Sequence, residues 1–230
     1  MDKFLLPSSV RIEGSENPNN AMLIVEPCYF GYGTTIGNAL RRVLLSSLPG
    51  AAVTAVKIKG APHEFMSLDH VKEDVSEIIL NVKQLRFKLH TEEVRVTLHV
   101  KGKKVVTAAD IEKSSDVEVG NPECVIATLT DDKAEFHMEL HLATGRGYVP
   151  VENRDTKSLE LGTIAVDSIY NPVKNIGYTV ENVRVGDVTN YEKLIMTIET
   201  DGTIEPKTAL TQATSILVEH FNIVLTQLQK

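Results

Sequence analysis

Apolar and polar residues alternate with a period of two along most of the chain, which is the pattern of half-buried β-strands. The alternation predicts strands at Met22–Glu26, Val53–Lys59, Val94–Val100, Val125–Leu129, Phe136–Leu142, Thr163–Asp167, Tyr178–Val185 and Leu194–Thr200. The 3.6-residue period predicts helices at Thr35–Leu48, Asp69–Lys83 and Lys207–Leu228. Gly14–Asn20 and Thr144–Gly162 are predicted to be exposed loops. Because strands and helices do not alternate regularly, the pattern predicts an α+β fold rather than a doubly wound parallel sheet.

The last predicted helix carries more apolar residues than a helix that covers one sheet requires. On a wheel of about 100° per residue its apolar arc spans roughly 220°, whereas one sheet needs little more than about 100°. The centre of the arc is formed by Leu210, Ala213, Leu217, Phe221, Val224 and Leu228. Either this helix is sandwiched inside one domain, or half of its apolar surface meets a second copy of the chain. We expect the second.

The first predicted helix has two different faces. Its buried stripe is predicted to contain Ile36, Leu40, Val43 and Leu44, and it ends at Pro49-Gly50. The opposite face carries Asn38, Arg41, Arg42 and Leu45. A leucine between two arginines is either a single exposed apolar residue, which is common, or the centre of a small partner-binding patch.

Composition narrows the class of protein. The chain has 230 residues, of which 42% are hydrophobic and 24% charged, so it is long enough for a globular core and is not a disordered chain. The net charge is −7, with most of the acidic excess in residues 50–172, which argues against a direct grip on nucleic acid. The first residues are too short for a signal peptide, and two cysteines make neither a disulfide framework nor a zinc site. We therefore expect a reduced cytoplasmic protein.

Candidate chemistry is sparse. The glycine-rich run at 31–37 leads into the first helix, but it lacks the spacing of a dinucleotide fingerprint and the ending of a P-loop. A small-molecule enzyme with a phosphate site at this turn is the alternative hypothesis, and a tight turn with close helix packing is the simpler one. His137, Glu139 and His141 share one strand face but lie too far apart to share a metal without further ligands. No cofactor and no catalytic residue is predicted, so the residues favour an interaction protein over an enzyme.

A family resemblance covers essentially the whole chain. The stretch Gly31–Gly50 resembles the signature of the α subunit of bacterial DNA-directed RNA polymerase. Supporting blocks follow in order: His63-Glu64-Phe65, Glu73-Asp74-Val75, Gly145-Arg146-Gly147-Tyr148-Val149-Pro150 and Gly202-Thr203-Ile204-Glu205-Pro206. The resemblance implies a discontinuous dimerisation part, residues 1–49 with 173–230, and an inserted strand-rich part, residues 50–172. A dimeric scaffold for a different partner remains a further alternative.

The resemblance also implies a function and its partners. Members of this family form a homodimer that recruits the β and β′ subunits, which hold the active site, so the chain is an enzyme only as part of a nucleotidyltransferase complex. It implies a cytoplasmic protein associated with the nucleoid through that complex. The family's C-terminal domain, which binds promoter DNA and activators, has no counterpart in this sequence, so no nucleic-acid contact is expected from it.

The expected contact residues fall into two sets. The dimer interface is expected to contain Ile36, Leu40, Leu210, Leu217, Phe221, Val224 and Leu228. The large-subunit surface is expected to contain Asn38, Arg41, Arg42, Leu45 and Lys83.

Overall fold

A computed structural model describes residues 5–155, 159–186 and 188–229. The strands, in chain order, are β1 (Ser9–Gly14), β2 (Asn20–Cys28), β3 (Pro49–Ile58), β4 (Phe87–Leu89), β5 (Glu93–Lys101), β6 (Val105–Thr107), β7 (Val117–Val119), β8 (Val125–Thr128), β9 (Glu135–Arg146), β10 (Tyr148–Val149), β11 (Thr163–Ala165), β12 (Ser168–Ile169), β13 (Val173–Val185) and β14 (Val188–Thr200). The α-helices are α1 (Tyr32–Ser46), α2 (Val75–Val82) and α3 (Pro206–Leu228). Antiparallel sheets with three α-helices in the described part of the chain confirm the predicted α+β fold class.

The chain divides into two compact units. Unit 1 is discontinuous and consists of Met1–Leu48 and Pro172–Lys230, and unit 2 is Pro49–Asn171. In unit 1 the sheet has the order β1-β2-β14-β13, with every neighbouring pair antiparallel. Alternate apolar residues of β2 and β14 build one core with α1, α3 and the start of β13: Leu23, Val25, Leu40, Leu44, Leu48, Ile176, Leu194, Met196, Ile198, Ala209, Leu210 and Ala213.

Glycines let α1 lie close to this sheet. Gly31, just before the helix, has φ +83°, a left-handed conformation that glycine adopts without strain. A Cβ added at Gly33 would lie 2.8 Å from Glu192 Oε2, and one at Gly37 would lie 2.8 Å from the Tyr178 ring. The glycine-rich run is therefore explained by backbone geometry and close helix packing, and α1 begins before the predicted Thr35.

Unit 2 is built on a six-stranded sheet of order β5-β9-β3-β4-β7, with β11 also paired to β3. The inner strand β9 shows the predicted alternation, since its buried side chains are Phe136, Met138, Leu140 and Leu142. The short helix α2 contributes Val75, Ile78 and Val82 to the same core. Period-two alternation in the sequence thus identifies the strand that pairs with both β5 and β3.

Two predicted elements of unit 2 need correction. The second helix starts at Val75 rather than Asp69, because Asp74 is its N-cap and accepts a 2.7 Å hydrogen bond from Glu77 N–H. The prediction of one long loop at Thr144–Gly162 is wrong at its start, because β9 continues to Arg146 and pairs with the first residues of β3. Gly145 permits this continuation, since a Cβ there would lie 2.7 Å from the Tyr170 ring.

Candidate interaction surfaces

The two halves of α3 have opposite surroundings. In the first half, Ala209, Leu210 and Ala213 are buried in the core of unit 1. The second half is exposed along its whole length and carries large apolar side chains, with Phe221 67% and Leu228 81% exposed. We call one set of these residues the α3 stripe: Val218, Phe221, Val224, Leu225 and Leu228. At about 100° per residue they span roughly 120° of the helix surface, the width of a face that packs against another element.

A groove in unit 1 is also apolar. Its volume is about 620 Å³, and residues from β1, β2, α1 and α3 line it. Its apolar lining includes Val10, Ile12, Leu23, Val25, Ile36 and Leu40. Unit 1 therefore presents an exposed apolar stripe and an apolar groove, and exposed apolar surface of this kind is typical of interaction sites.

The structure places the predicted dimer residues in three environments. Leu40 and Leu210 are 6% and 5% exposed, so they belong to the core of their own chain and contribute to the wall of the groove. Ile36 and Leu217 are half-buried beside them. Of the predicted set, the residues on the α3 stripe, Phe221, Val224 and Leu228, are the ones left fully available to a second copy.

The outer face of α1 exposes the four residues expected there: Asn38, Arg41, Arg42 and Leu45. Within the described ranges neither Arg41 nor Arg42 forms an ion pair. We call Arg41, Arg42 and Leu45 the α1 patch. Its two guanidinium groups keep their donors free beside an exposed leucine, a combination suited to anchoring a partner.

Lys83 belongs to unit 2, where it is the residue that ends α2. Its Nζ is 3.0 Å from Asp167 Oδ2. Asp167 Oδ1 also accepts a 2.9 Å hydrogen bond from Val151 N–H. The Val151 N–H, followed by the Lys83 ammonium, holds the pKa of Asp167 below its usual value. The local sequence around Lys83 does not indicate that its side chain forms a half-buried ion pair.

The glycine-rich turn before α1 already binds a carboxylate of the same chain through its backbone N–H groups. The backbone N–H groups of Gly31 and Gly33 donate 2.8 Å hydrogen bonds to the two carboxylate oxygens of Glu192, which lies on β14. Burial, followed by the nearby Glu192 charge, raises the pKa of the Cys28 thiol. Because the amides that a phosphate would need are occupied, the small-molecule alternative is not favoured.

The histidines of β9 form no metal centre. His141 Nε2 lies 2.9 Å from Glu139 Oε1, while the His137 ring meets the His99 ring edge-on at 5.6 Å. Across the residues that the structure describes, no group of three or more His, Cys, Asp or Glu side chains could hold a metal ion. Likewise, none of the described helices is long and apolar enough to span a bilayer.

Fold and surfaces together define a class: a two-unit α+β protein whose discontinuous unit carries exposed apolar surfaces. Residues 56–171 match the family model described as RNA polymerase Rpb3/RpoA insert domain. The chain is 50% identical over 218 residues to the DNA-directed RNA polymerase subunit alpha of Oceanobacillus iheyensis, covering 94% of this chain and 69% of that one. It is 51% identical over 203 residues to the subunit alpha of Alkaliphilus oremlandii, covering 88% and 64% respectively.

A third relative, the DNA-directed RNA polymerase subunit alpha of Alkaliphilus metalliredigens, is 48% identical over 215 residues, covering 93% of this chain and 68% of the relative. The chain belongs to the family of DNA-directed RNA polymerase alpha subunits. It spans about two thirds of the length of these curated relatives.

Proposed function

We propose that this chain is a non-catalytic scaffold of a bacterial DNA-dependent RNA polymerase, which forms a homodimer and then assembles the β and β′ subunits. The observation that carries this proposal is the pairing of an uncovered apolar helix stripe with an uncovered apolar groove on unit 1. In this proposal the active site of the nucleotidyltransferase complex lies on other subunits, and the complex works in the cytoplasm on the nucleoid. Membership of the family of DNA-directed RNA polymerase alpha subunits supports the proposal.

Unit 1 is the dimerisation unit in this proposal. The α3 stripe of one copy occupies the groove of the other, and a two-fold axis makes the contact twice. Each large apolar side chain fully removed from water contributes about 1.5–3 kcal/mol, so a stripe that contains Phe221, Leu225 and Leu228 is a strong source of affinity. Neither the α3 stripe nor the groove is covered by another part of the described chain. Each can therefore bury its apolar surface against the other across the dimer interface.

The α1 patch is the proposed contact to β. Free arginine donors beside Leu45 fit a partner surface with carboxylates around a small apolar pocket. Asn38 lies exposed on the same helix and belongs to the same contact. Lys83 is a separate proposed contact, from unit 2, because its ammonium is only half-buried in the pair with Asp167.

Co-expression of the chain with β and β′ tests the proposal. We expect a dimer at micromolar concentration by analytical ultracentrifugation, and we expect co-elution of two copies with β and then with β′ on gel filtration. A monomeric chain, or a dimer that captures neither large subunit, would overturn the scaffold. Nucleotide binding by the chain alone would instead support the small-molecule alternative, and a stable dimer that captures only other proteins would support a scaffold for another partner.

A further inference from the structure

The helix that carries the α1 patch has no cap of its own. Its N-cap residue is Gly31, which has no side chain to accept a hydrogen bond, and its first turn contains no acidic residue. The first N–H groups of a helix have no partner within the helix, so a buried helix start requires acceptors from elsewhere. Glu192, 161 positions from Gly31 in sequence, accepts hydrogen bonds from Gly31 N–H and Gly33 N–H, while the Tyr29 carbonyl accepts one from Tyr32 N–H.

Glu192 is built into the sheet for this role. It is 7% exposed, although a buried carboxylate is costly unless donors surround it. The pairing of β14 with β2 shifts register between Glu192 and Leu194, an irregularity of the kind that re-aims a side chain. Both carboxylate oxygens then accept N–H groups at the positive end of the α1 dipole.

The contact sets the seating of the helix as well as its start. Gly33 has no Cβ, and one added there would lie 2.8 Å from the Glu192 oxygen that its own N–H contacts. The carboxylate therefore defines the closest approach of the first turn to β14. At about 1.5 Å per residue α1 is roughly 22 Å long, so a tilt of about 10° at this end moves the other end by about 4 Å.

We propose that Glu192 is the positioning residue of the α1 patch: its carboxylate fixes the start of α1 and thereby the place of Arg41, Arg42 and Leu45. The inference rests on the proposed binding of β by this patch. Anchoring groups must be held within about 0.5 Å by packing and supporting hydrogen bonds to bind well, and the two hydrogen bonds to Glu192 give the start of α1 part of that support.

The first test removes half of the cap. Glu192→Gln keeps the shape but offers one acceptor and brings an NH₂ group against the second N–H. We expect hydrogen exchange of the Gly31 and Gly33 amides to accelerate about tenfold or more and β capture to weaken about tenfold. Glu192→Asp keeps the charge on a shorter arm, so we expect partial recovery of both readouts.

The second test is a double-mutant cycle with Gly33→Ala, whose added methyl group would displace the same carboxylate. If Glu192 acts through the start of α1, Gly33→Ala weakens β capture in the wild type but adds little in the Glu192→Gln background. Gly14→Ala is the matched control, because a Cβ there meets nothing within 4 Å. If the loss of β binding in the double variant equals the sum of the losses in Gly33→Ala and Glu192→Gln, the proposal is overturned.

A third measurement separates positioning from simple loss of stability. Ile198→Val truncates a core residue on the same strand, β14, without touching the cap. If Ile198→Val lowers the free energy of unfolding as much as Glu192→Gln does, we expect Ile198→Val to leave β binding unchanged. Equal weakening of β binding by the two variants would refute the positioning role. If the wild type itself fails to capture β, the proposed function fails, while amide exchange in Glu192→Gln still decides whether this residue fixes α1.

Discussion

Both units bury one apolar sheet face in a core of their own, but the surfaces that they leave exposed differ in polarity. Unit 2 buries the apolar faces of its sheet and of α2 in a core of its own, and its exposed sheet face is lined by paired charges. Unit 1 buries one face of its sheet but leaves half of α3 without any cover. The second half of α3 adds no buried side chain to the core of unit 1, which is consistent with the proposed role of that segment in binding a second copy.

The charged face of unit 2 illustrates the contrast. Lys57 and Arg95 both contact Glu160, at 2.9 and 3.0 Å, and His99 and Lys101 both contact Glu135, at 2.8 and 3.1 Å. Exposed pairs of this kind contribute little to the stability of the fold, so their main effect is to keep this face polar. Unit 2 also exposes apolar residues such as Phe65 and Leu80, but no helix of the described chain other than α3 carries an exposed apolar stripe.

The largest expected effect tests whether the two cores are independent. Phe136 is 1% exposed in the core of unit 2, and truncation of such a side chain costs about 3–5 kcal/mol. We expect Phe136→Ala to lower the free energy of unfolding of unit 2 by this amount in urea denaturation while ultracentrifugation still shows a dimer. Dissociation of the dimer at urea concentrations where unit 1 stays folded would show that dimerisation is not confined to unit 1.

The second prediction concerns the uncovered stripe. A charge at the centre of an apolar interface is poorly tolerated, so Phe221→Asp should weaken dimerisation by at least about 2 kcal/mol, roughly 30-fold. Ile223→Asp is a matched control, because Ile223 is 63% exposed but lies about 160° from Phe221 on the helix wheel. Sedimentation of both variants distinguishes a specific interface at the α3 stripe from nonspecific hydrophobic association of α3. Equal loss of the dimer in both would contradict the assignment.

The third prediction separates α1 from α3 within unit 1. We expect the double variant Arg42→Ala/Leu45→Ala to fold and dimerise but to weaken β capture by more than about 1.4 kcal/mol, tenfold in affinity. Thr34→Ala, an exposed substitution on the same helix, is the control. A β pull-down is performed on variants first confirmed as dimers by gel filtration. Undiminished capture would remove the α1 patch from the interface, and loss of the dimer would assign this face to the second copy instead.

Hydrophobic periodicity predicts the long elements of both units because burial decides their side chains. The alternation of Phe136, Met138, Leu140 and Leu142 identifies β9, and the wide apolar arc identifies α3. Short strands such as β4, β6 and β10, of two or three residues, contain too few alternations to be recognised. Their positions follow from pairing with distant strands, which local sequence does not encode.

The candidate surfaces show the same limit. The exposure of Arg41, Arg42 and Leu45 follows from the helix period alone. The role of Glu192 does not, because a β14 residue and the α1 amides are brought together only by the register of a sheet that joins the two ends of the chain. Nothing in the local sequence around a Glu on a strand distinguishes one that caps a helix from one that faces solvent.

The smallest effect is expected from the paired charges of unit 2. The hydrogen bond from His99, with that from Lys101, lowers the pKa of Glu135 to about 2. Because the folded pKa is below the unfolded value, the stabilisation from this carboxylate is complete above the unfolded pKa of about 4.5 and is lost as the pH falls through about 2. Carbon NMR should show Glu135 still ionised at about pH 3.5, and His99→Asn should move its midpoint upward. If the titration midpoint of Glu135 in the wild type lies at the ordinary glutamate value, the charges on this face are solvated rather than paired. That result would weaken the contrast between unit 2, whose surface charges pair within the chain, and unit 1, whose apolar surface residues lack a partner in the described chain.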